Sequence, residues 1–315
     1  MPTIIRAARL HQHGRPVDVE EIELPEPAGD QVLVNLQFGG VNPVDTYMAK
    51  GQVAPDGPLP RTLGGEASGT AEGRQVLVAG GGLGSERDGV WAQAAVVSRR
   101  SVLELPEGVE PRGAAAMGIA GLTAWNCVHD LGAVRAEDRV LVLGASGGVG
   151  TMIVSLSSAV GAQVRGQTGS REKADVIERL GAEQAIVAGA EDLFEAIDGF
   201  EPTIVFDPLG DGFVQPVIEA LIPGGRLVSF GTSAGPQATF NLRMLYRKGI
   251  KLLGYADRLV GPQQRRAGLR AALEAIRAGD LKVVIDEVLP LEEVGQAFER
   301  LAERKVSGKL LLDLS

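Results

Sequence analysis

The chain has 315 residues, enough for two cores, and an ordinary globular composition: 44% hydrophobic, 43 glycines and 4% aromatic. Its formal net charge of −9 excludes a general binder of nucleic acid or anionic membrane, which needs a basic face. The single cysteine, Cys127, excludes a disulfide framework and any multi-cysteine zinc site, and the lack of a basic-then-apolar start or of a long apolar run leads to the expectation of a cytoplasmic protein.

Up to Pro111 the chain reads as strands punctuated by Pro and Gly. In QVLVNLQF (31–38), Val32, Val34, Leu36 and Phe38 alternate with Gln31, Asn35 and Gln37, the pattern of a half-buried antiparallel strand. QVLVAG (75–80), VWAQAAVVS (90–98) and VLELP (102–106) read likewise, separated by turn clusters such as GGGLGSERDG (80–89). His11 and His13 are assigned to the first strand as surface residues. Pro111 opens an alanine-rich helix running through GAAAMGIAGLTAW (113–125), with His129 near its end.

From residue 122 to 256 short apolar strands alternate with helices. The strands are RVLVLG, AQVRGQT, QAIVA, TIVFD, GRLVSF and IKLLGY. The helices TMIVSLSSAV and REKADVIERL are followed by Gly161 and Gly181, where left-handed caps are expected. Such alternation describes a doubly wound parallel sheet covered on both faces. Beyond lie a helix (263–278), a strand VVIDEVL, a helix LEEVGQAFERLAERK and a strand KLLLDL. This tail has no core of its own and is expected to return to the N-terminal part. The expected domains are 1–121 with 257–315, split around 122–256.

The stretch VLVLGASGGVG (140–150) contains Ala145-x-Gly147-x-x-Gly150 between a strand and an amphipathic helix. That is the dinucleotide spacing, with alanine in the first place, in the context it requires. Gly147 permits close approach of a pyrophosphate, Gly150 packs helix on strand, and the helix start offers unpaired N–H groups to phosphate. A glycine-rich turn without a ligand is the plain alternative, and the further strands of matching pattern weigh against it. At the tip of the next strand, where an NAD site places an acid, the chain reads Thr168-Gly169-Ser170-Arg171-Glu172-Lys173. Ser170 is placed to cap the following helix. Arg171 and Lys173 fall in a first turn, where the helix dipole disfavours cations. A 2′-phosphate docked there resolves the conflict, so NADPH is expected over NADH.

GVNPVDTYMAKG (40–51), GIAGLTAW (118–125), GASGGVG (144–150) and VSGKLLLDL (306–314) together resemble the zinc-independent quinone oxidoreductases, relatives of zeta-crystallin. These form a branch of the medium-chain dehydrogenase/reductase superfamily. The resemblance spans essentially the whole chain and implies a Rossmann domain inserted in a GroES-like β-rich catalytic domain. Zinc-using relatives carry a ligand Cys after Gly-Val and a ligand His in Gly-His-Glu. Here those places hold Asn42 and Gly65, so no metal is expected. The resemblance puts Asn42 near the nicotinamide, Tyr47 toward the substrate, Thr123 near the cofactor, and Lys309 toward a cofactor phosphate. Each has a plainer role open to it: Tyr47 as a packing residue with its hydroxyl in water, Thr123 in helix packing, Lys309 as a surface lysine. Asp45 is expected to fix its loop. Ser146, Gly147, Gly148 and Val149 would meet the pyrophosphate, and Phe230, Gly231 and Thr232 stand at the carboxyl edge of the sheet, where such folds bind ligands. Many relatives have a tyrosine after the third parallel strand; this chain has Ala188.

The leading function is NADPH-dependent hydride transfer to a quinone or enone. An enoyl-thioester reductase shares fold and chemistry, and a non-catalytic NADPH-binding protein is the reading from another class. Small-molecule substrates are expected, together with a homodimer formed through the last parallel strand, whose edge needs covering.

Overall fold

The computed structural model describes residues 3–315. The chain divides into two compact units: one ending at Ala120 and resuming at Val283–Ser315, the other Gly121–Lys282.

In the first unit, among the described residues, one sheet runs in the order Ile285–Pro290, Lys309–Asp313, Gln31–Val41, Glu66–Ala71, Arg74–Ala79 and Val102–Glu104, and Ala94–Ser98 also pairs with Gln31–Val41. A smaller sheet orders Asp18–Leu24, Thr3–Leu10 and Arg61–Thr62. Val32, Val34 and Leu36 enter the main core, as their alternation requires. Phe38 does not join them. The pairing with Glu66–Ala71 slips between Leu36 and Phe38, and this bulge turns Phe38 to a second cluster with Ala115, Ala116 and Leu311. The end of the coreless tail returns as expected: Lys309–Asp313 pairs antiparallel with Gln31–Val41, and Leu310, Leu312 and Leu314 complete the same core. His11 and His13 lie beyond the first strand, which ends at Leu10.

The expected continuous helix through 113–125 is interrupted. Pro111–Ala115 and Ala120–Trp125 are helical, and a π-helical turn Asn126–Leu131 follows. The break has a long-range cause, since the backbone N–H of Ile119 donates to the Glu66 carboxylate. An N–H engaged by a side chain from another element leaves the helical ladder.

In the second unit all six expected strands are present and parallel. Their order is Gln184–Val187, Gln163–Thr168, Arg139–Val142, Ile204–Asp207, Arg226–Ser229 and Lys251–Gly254. Counted along the chain this is 3-2-1-4-5-6, the doubly wound order, with its switch point beside the first strand. Gly161 (φ +91°) and Gly181 (φ +109°) take the left-handed caps. The boundary differs from the expected one: residues 257–282 belong to this unit. The helix Pro262–Ala278 buries Leu269, Ala272 and Leu273, and a Cβ at Gly268 would touch Leu122 at 2.7 Å, so the helix lies against the start of its own unit. Among the described residues no helix is long and apolar enough to cross a membrane.

Candidate functional site

After Arg139–Val142 the chain turns at Gly144 (φ +56°) and enters the helix Gly148–Ala159 with Gly147 as its N-cap. Gly144 N–H donates to Gln167 Oε1 (3.0 Å), and Gly147 N–H donates back to Gly144 O (2.9 Å). A Cβ at Gly150 would lie 2.3 Å from Gly144 O and 2.8 Å from Ala145 Cα. Only glycine lets the helix sit this close to the turn. No acid stands in the first helical turn, so Ser146, Gly147, Gly148 and Val149 present a helix N-terminus that favours negative charge.

Ser146 Oγ lies 3.2 Å from Thr168 Oγ1, which ties this turn to the tip of the second strand. Ser170 follows with extended backbone, and its side chain makes no capping bond to the short 3-10 turn Arg171–Lys173. Arg171 is exposed and Lys173 half-buried. Gly169 is exposed, and an added Cβ would meet nothing within 4 Å. Ala188 is fixed to the second strand by its N–H to Thr168 O (3.1 Å) and by Gln167 Nε2 to its carbonyl (2.7 Å). The Phe230-Gly231-Thr232 segment leaves the fifth strand against the turn that follows the fourth: Phe230 N–H donates to Asp207 O (3.0 Å), and a Cβ at Gly231 would lie 2.9 Å from Pro208 O. Buried Asp207 shapes that turn by accepting the N–H groups of Leu209 (2.7 Å) and Gly210 (3.0 Å), and burial pushes its pKa up. All three segments emerge at the carboxyl end of the parallel sheet.

Thr123 belongs to another cluster in this unit. It hydrogen-bonds Tyr255, whose hydroxyl also accepts from Asn126 Nδ2 (3.3 Å) and donates to Asp257 Oδ1 (3.3 Å). Arg265 holds Asp257 through two nitrogens at 3.0 and 2.9 Å. Burial, then the charge of Asp257, pushes the Tyr255 pKa up, so the hydroxyl keeps its proton at neutral pH.

In the first unit the residues around Asn42 form a buried polar cluster. Asn42 Nδ2 donates to Glu66 Oε1 (2.7 Å), and Lys309 Nζ donates to Asn42 Oδ1 (2.5 Å), Glu66 Oε1 (2.9 Å) and Val41 O (3.1 Å). Lys309 is 3% exposed and Glu66 0%. An ammonium has three N–H donors, and all three are engaged. The expectation that Lys309 faces a cofactor phosphate is therefore corrected: it is a buried counter-ion. Asp45 fixes its loop as expected, with Oδ2 accepting the backbone N–H of Asn42 (2.8 Å) at the start of the helix Pro43–Ala49. Burial, then the neighbouring Glu66 charge, pushes the Asp45 pKa up to about 7. Asp45 therefore keeps its proton well above the usual carboxylate range. Glycine is required at Gly40, where a Cβ would fall 2.3 Å from Glu66 Oε1. Tyr47, on the same short helix, is 37% exposed.

Sequence reasoning does not single out Glu66, Gln167, Asp207 or Tyr255. Glu66 follows the Gly64-Gly65 pair, so an acid placed beside two small residues is the available signal. At the places where zinc-using relatives carry ligands, Asn42 has both amide groups engaged and Gly65 offers no side chain. Among the described residues no three His, Cys, Asp or Glu side chains are grouped to hold a metal. A zinc ion does not fit this donor set.

The chain matches the zinc-binding dehydrogenase family over residues 148–275. It is 30% identical to quinone oxidoreductase 1 of Escherichia coli (strain K12), over 96% of this chain and 98% of that protein. It is also 28% identical, over 97% of its own length, to 15% of a phenolphthiocerol/phthiocerol polyketide synthase of Mycobacterium tuberculosis. Among solved structures, a quinone oxidoreductase of Pseudomonas syringae superposes with a TM-score of 0.85 at 25% identity, covering 98% of this chain and 99% of that one. The topology and the glycine turn, with these matches, define a medium-chain dehydrogenase/reductase, an oxidoreductase built around a nicotinamide cofactor. Within that superfamily the chain belongs to the quinone oxidoreductase branch.

Proposed function

We propose that the chain is an NADPH-dependent reductase that delivers hydride to a quinone or another conjugated carbonyl without zinc. The observation that carries this reading is the turn at 144–150, where Gly150 cannot bear a side chain and an acid-free helix start faces outward from the sheet edge. There Ser146, Gly147, Gly148 and Val149 hold the pyrophosphate. The acid-free strand tip, with Ser170, Arg171 and Lys173 following it, favours a 2′-phosphate on the adenosine ribose. Phe230, Gly231 and Thr232 flank the bound cofactor, and Thr123, held by Tyr255, serves its nicotinamide end. When bound, the nicotinamide supplies the hydride. Without a Lewis acid, hydrogen-bond donors must stabilise the negative charge developing on the substrate oxygen. Tyr47, with its partly exposed side chain, is the proposed donor. Asn42, held rigid by Glu66 and Lys309, is the proposed positioning residue beside it.

A second reading, an enoyl-thioester reductase, is favoured by the match to part of a polyketide synthase. The test is loss of nicotinamide absorbance with a panel of quinones, enones and enoyl thioesters, run in the presence of a metal chelator and accompanied by elemental analysis. Turnover of quinones and enones with NADPH in chelator supports the first reading, and turnover of thioesters alone supports the second. Turnover of none rejects both, and activity lost together with about one zinc per chain rejects the metal-free mechanism.

We also propose a homodimer through Lys251–Gly254. That strand ends the sheet order and leaves Leu252 46% exposed. An apolar edge of this kind is covered when a second copy extends the sheet across a two-fold axis.

A further inference from the structure

Arg61 has no exposed area, yet among the described residues its guanidinium makes a single hydrogen bond, from Nη1 to Pro58 O at 3.3 Å. Nε and Nη2 are buried and have no partner among the described residues. Asp88, which accepts the N–H of the adjacent Thr62 (2.7 Å), is already paired with Arg9 (2.6 Å). A buried charge without a counter-ion is costly, and burial accordingly lowers the Arg61 pKa. Residues 52–60 are exposed or half-exposed, and they rest on the guanidinium at Gly57, where a Cβ would lie 2.5 Å from Nη1 and 2.2 Å from Ser85 O. Nε–H and Nη2–H project side by side, the edge with which arginine grips two oxygens of a carboxylate or a phosphate. That edge is the one left without partners.

We propose that Arg61 is the receptor of an oxyanion site beneath residues 52–60, binding a carboxylate or phosphate group through Nε and Nη2. Entry requires this segment to lift at Gly57, since the guanidinium is closed off from solvent. The site lies in the first unit, and the proposal does not rest on the hydride-transfer reading.

The test is thermal unfolding of the full chain in chloride, acetate or phosphate at equal ionic strength. Acetate or phosphate is expected to raise the midpoint saturably by about 2–4 °C. A response to acetate alone identifies a carboxylate site, to phosphate alone a phosphate site, and to both a general oxyanion site. Because phosphate also fits the dinucleotide turn, the response must persist when that turn is filled by saturating nicotinamide dinucleotide. Arg61→Met removes the charge at similar length. It is expected to abolish the response without lowering the midpoint in chloride, because an unpaired buried charge has gone. Arg61→Lys keeps the charge without the paired edge and is expected to lose at least about tenfold in anion affinity. It carries the test by the same criterion should Arg61→Met fail to fold. A parent protein indifferent to both anions overturns the proposal. A response that survives both substitutions is an adventitious ion only and overturns it equally.

Discussion

Replacing Lys309 by methionine is expected to destabilise the first unit and to leave cofactor affinity nearly untouched. Methionine preserves the apolar stem and most of the volume, so little packing is lost. What goes is an ammonium donating to Glu66 Oε1, Asn42 Oδ1 and Val41 O in a cluster closed to solvent. Removing one partner of a buried ion pair costs about 3–5 kcal/mol, because the other charge stays behind without compensation. At roughly 2–4 °C per kcal/mol for a unit of this size, the unfolding midpoint should fall by about 6–20 °C. Adding Glu66→Gln removes the stranded charge and should restore part of the loss, with a coupling energy of about 1–3 kcal/mol in the double-mutant cycle. The assays are circular-dichroism melting and the KM for NADPH, measured on the same preparations. If Lys309 contacted a phosphate of the cofactor, Lys309→Met would leave the midpoint unchanged and raise that KM about tenfold or more. That outcome would refute the assignment of Lys309 as a buried counter-ion.

Arg171→Ala with Lys173→Ala should raise the KM for NADPH by roughly ten- to a hundredfold, with little change in kcat or in the KM for NADH, because the 2′-phosphate contributes equally to ground and transition states. Gly169→Asp, for which there is space, should penalise NADPH further by repulsion, and an unaltered preference in initial rates would remove the phosphate pocket from these residues. The Asp45 pKa is raised from 3.8 to about 7, so its contribution to stability is complete below about pH 4 and is lost as pH rises through about 7. Asp45→Asn should therefore gain on the parent across that window, by up to roughly 4 kcal/mol, and urea melts showing a constant difference from pH 4 to pH 8 would contradict the raised value. Leu252→Glu should convert a dimer to a monomer in light scattering, and a parent that is already monomeric at micromolar concentration would remove the edge-strand interface.

The parallel-sheet unit is legible in the chain because its evidence is local. Each strand is a short apolar run, each helix carries its own period, and Gly161 and Gly181 mark the caps beside the segments they end. The glycine turn is legible for the same reason, since strand, turn and helix are contiguous. The misses share the opposite property. Phe38 alternates correctly in sequence and leaves its face because a bulge against a partner strand intervenes. The alanine-rich helix has no local breaker strong enough to stop it, and the carboxylate that interrupts it comes from Glu66, 53 residues away. The unit boundary shifts because the helix Pro262–Ala278 has an amphipathic pattern that fits either core, and pattern alone does not name the partner.

Fold class, the parallel-strand series, the dinucleotide turn and the lack of an acid at the neighbouring strand tip all follow from the order of residues. Periodicity, turn chemistry and residue type act over a few neighbouring residues, so they are written in contiguous chain. Which side chains meet is settled only in three dimensions. Lys309 reads in sequence as a strand-start lysine and becomes the counter-ion of Glu66, 243 residues away. Asp45 reads as an acid that fixes its loop and is also a carboxyl that holds its proton to near neutrality, because it is buried beside a second carboxylate. Nothing in the sequence singles out Arg61, which is closed off beside an exposed segment with its gripping edge unpaired among the described residues. Desolvation and charge pairing depend on distance in space, and a linear chain records distance only along itself.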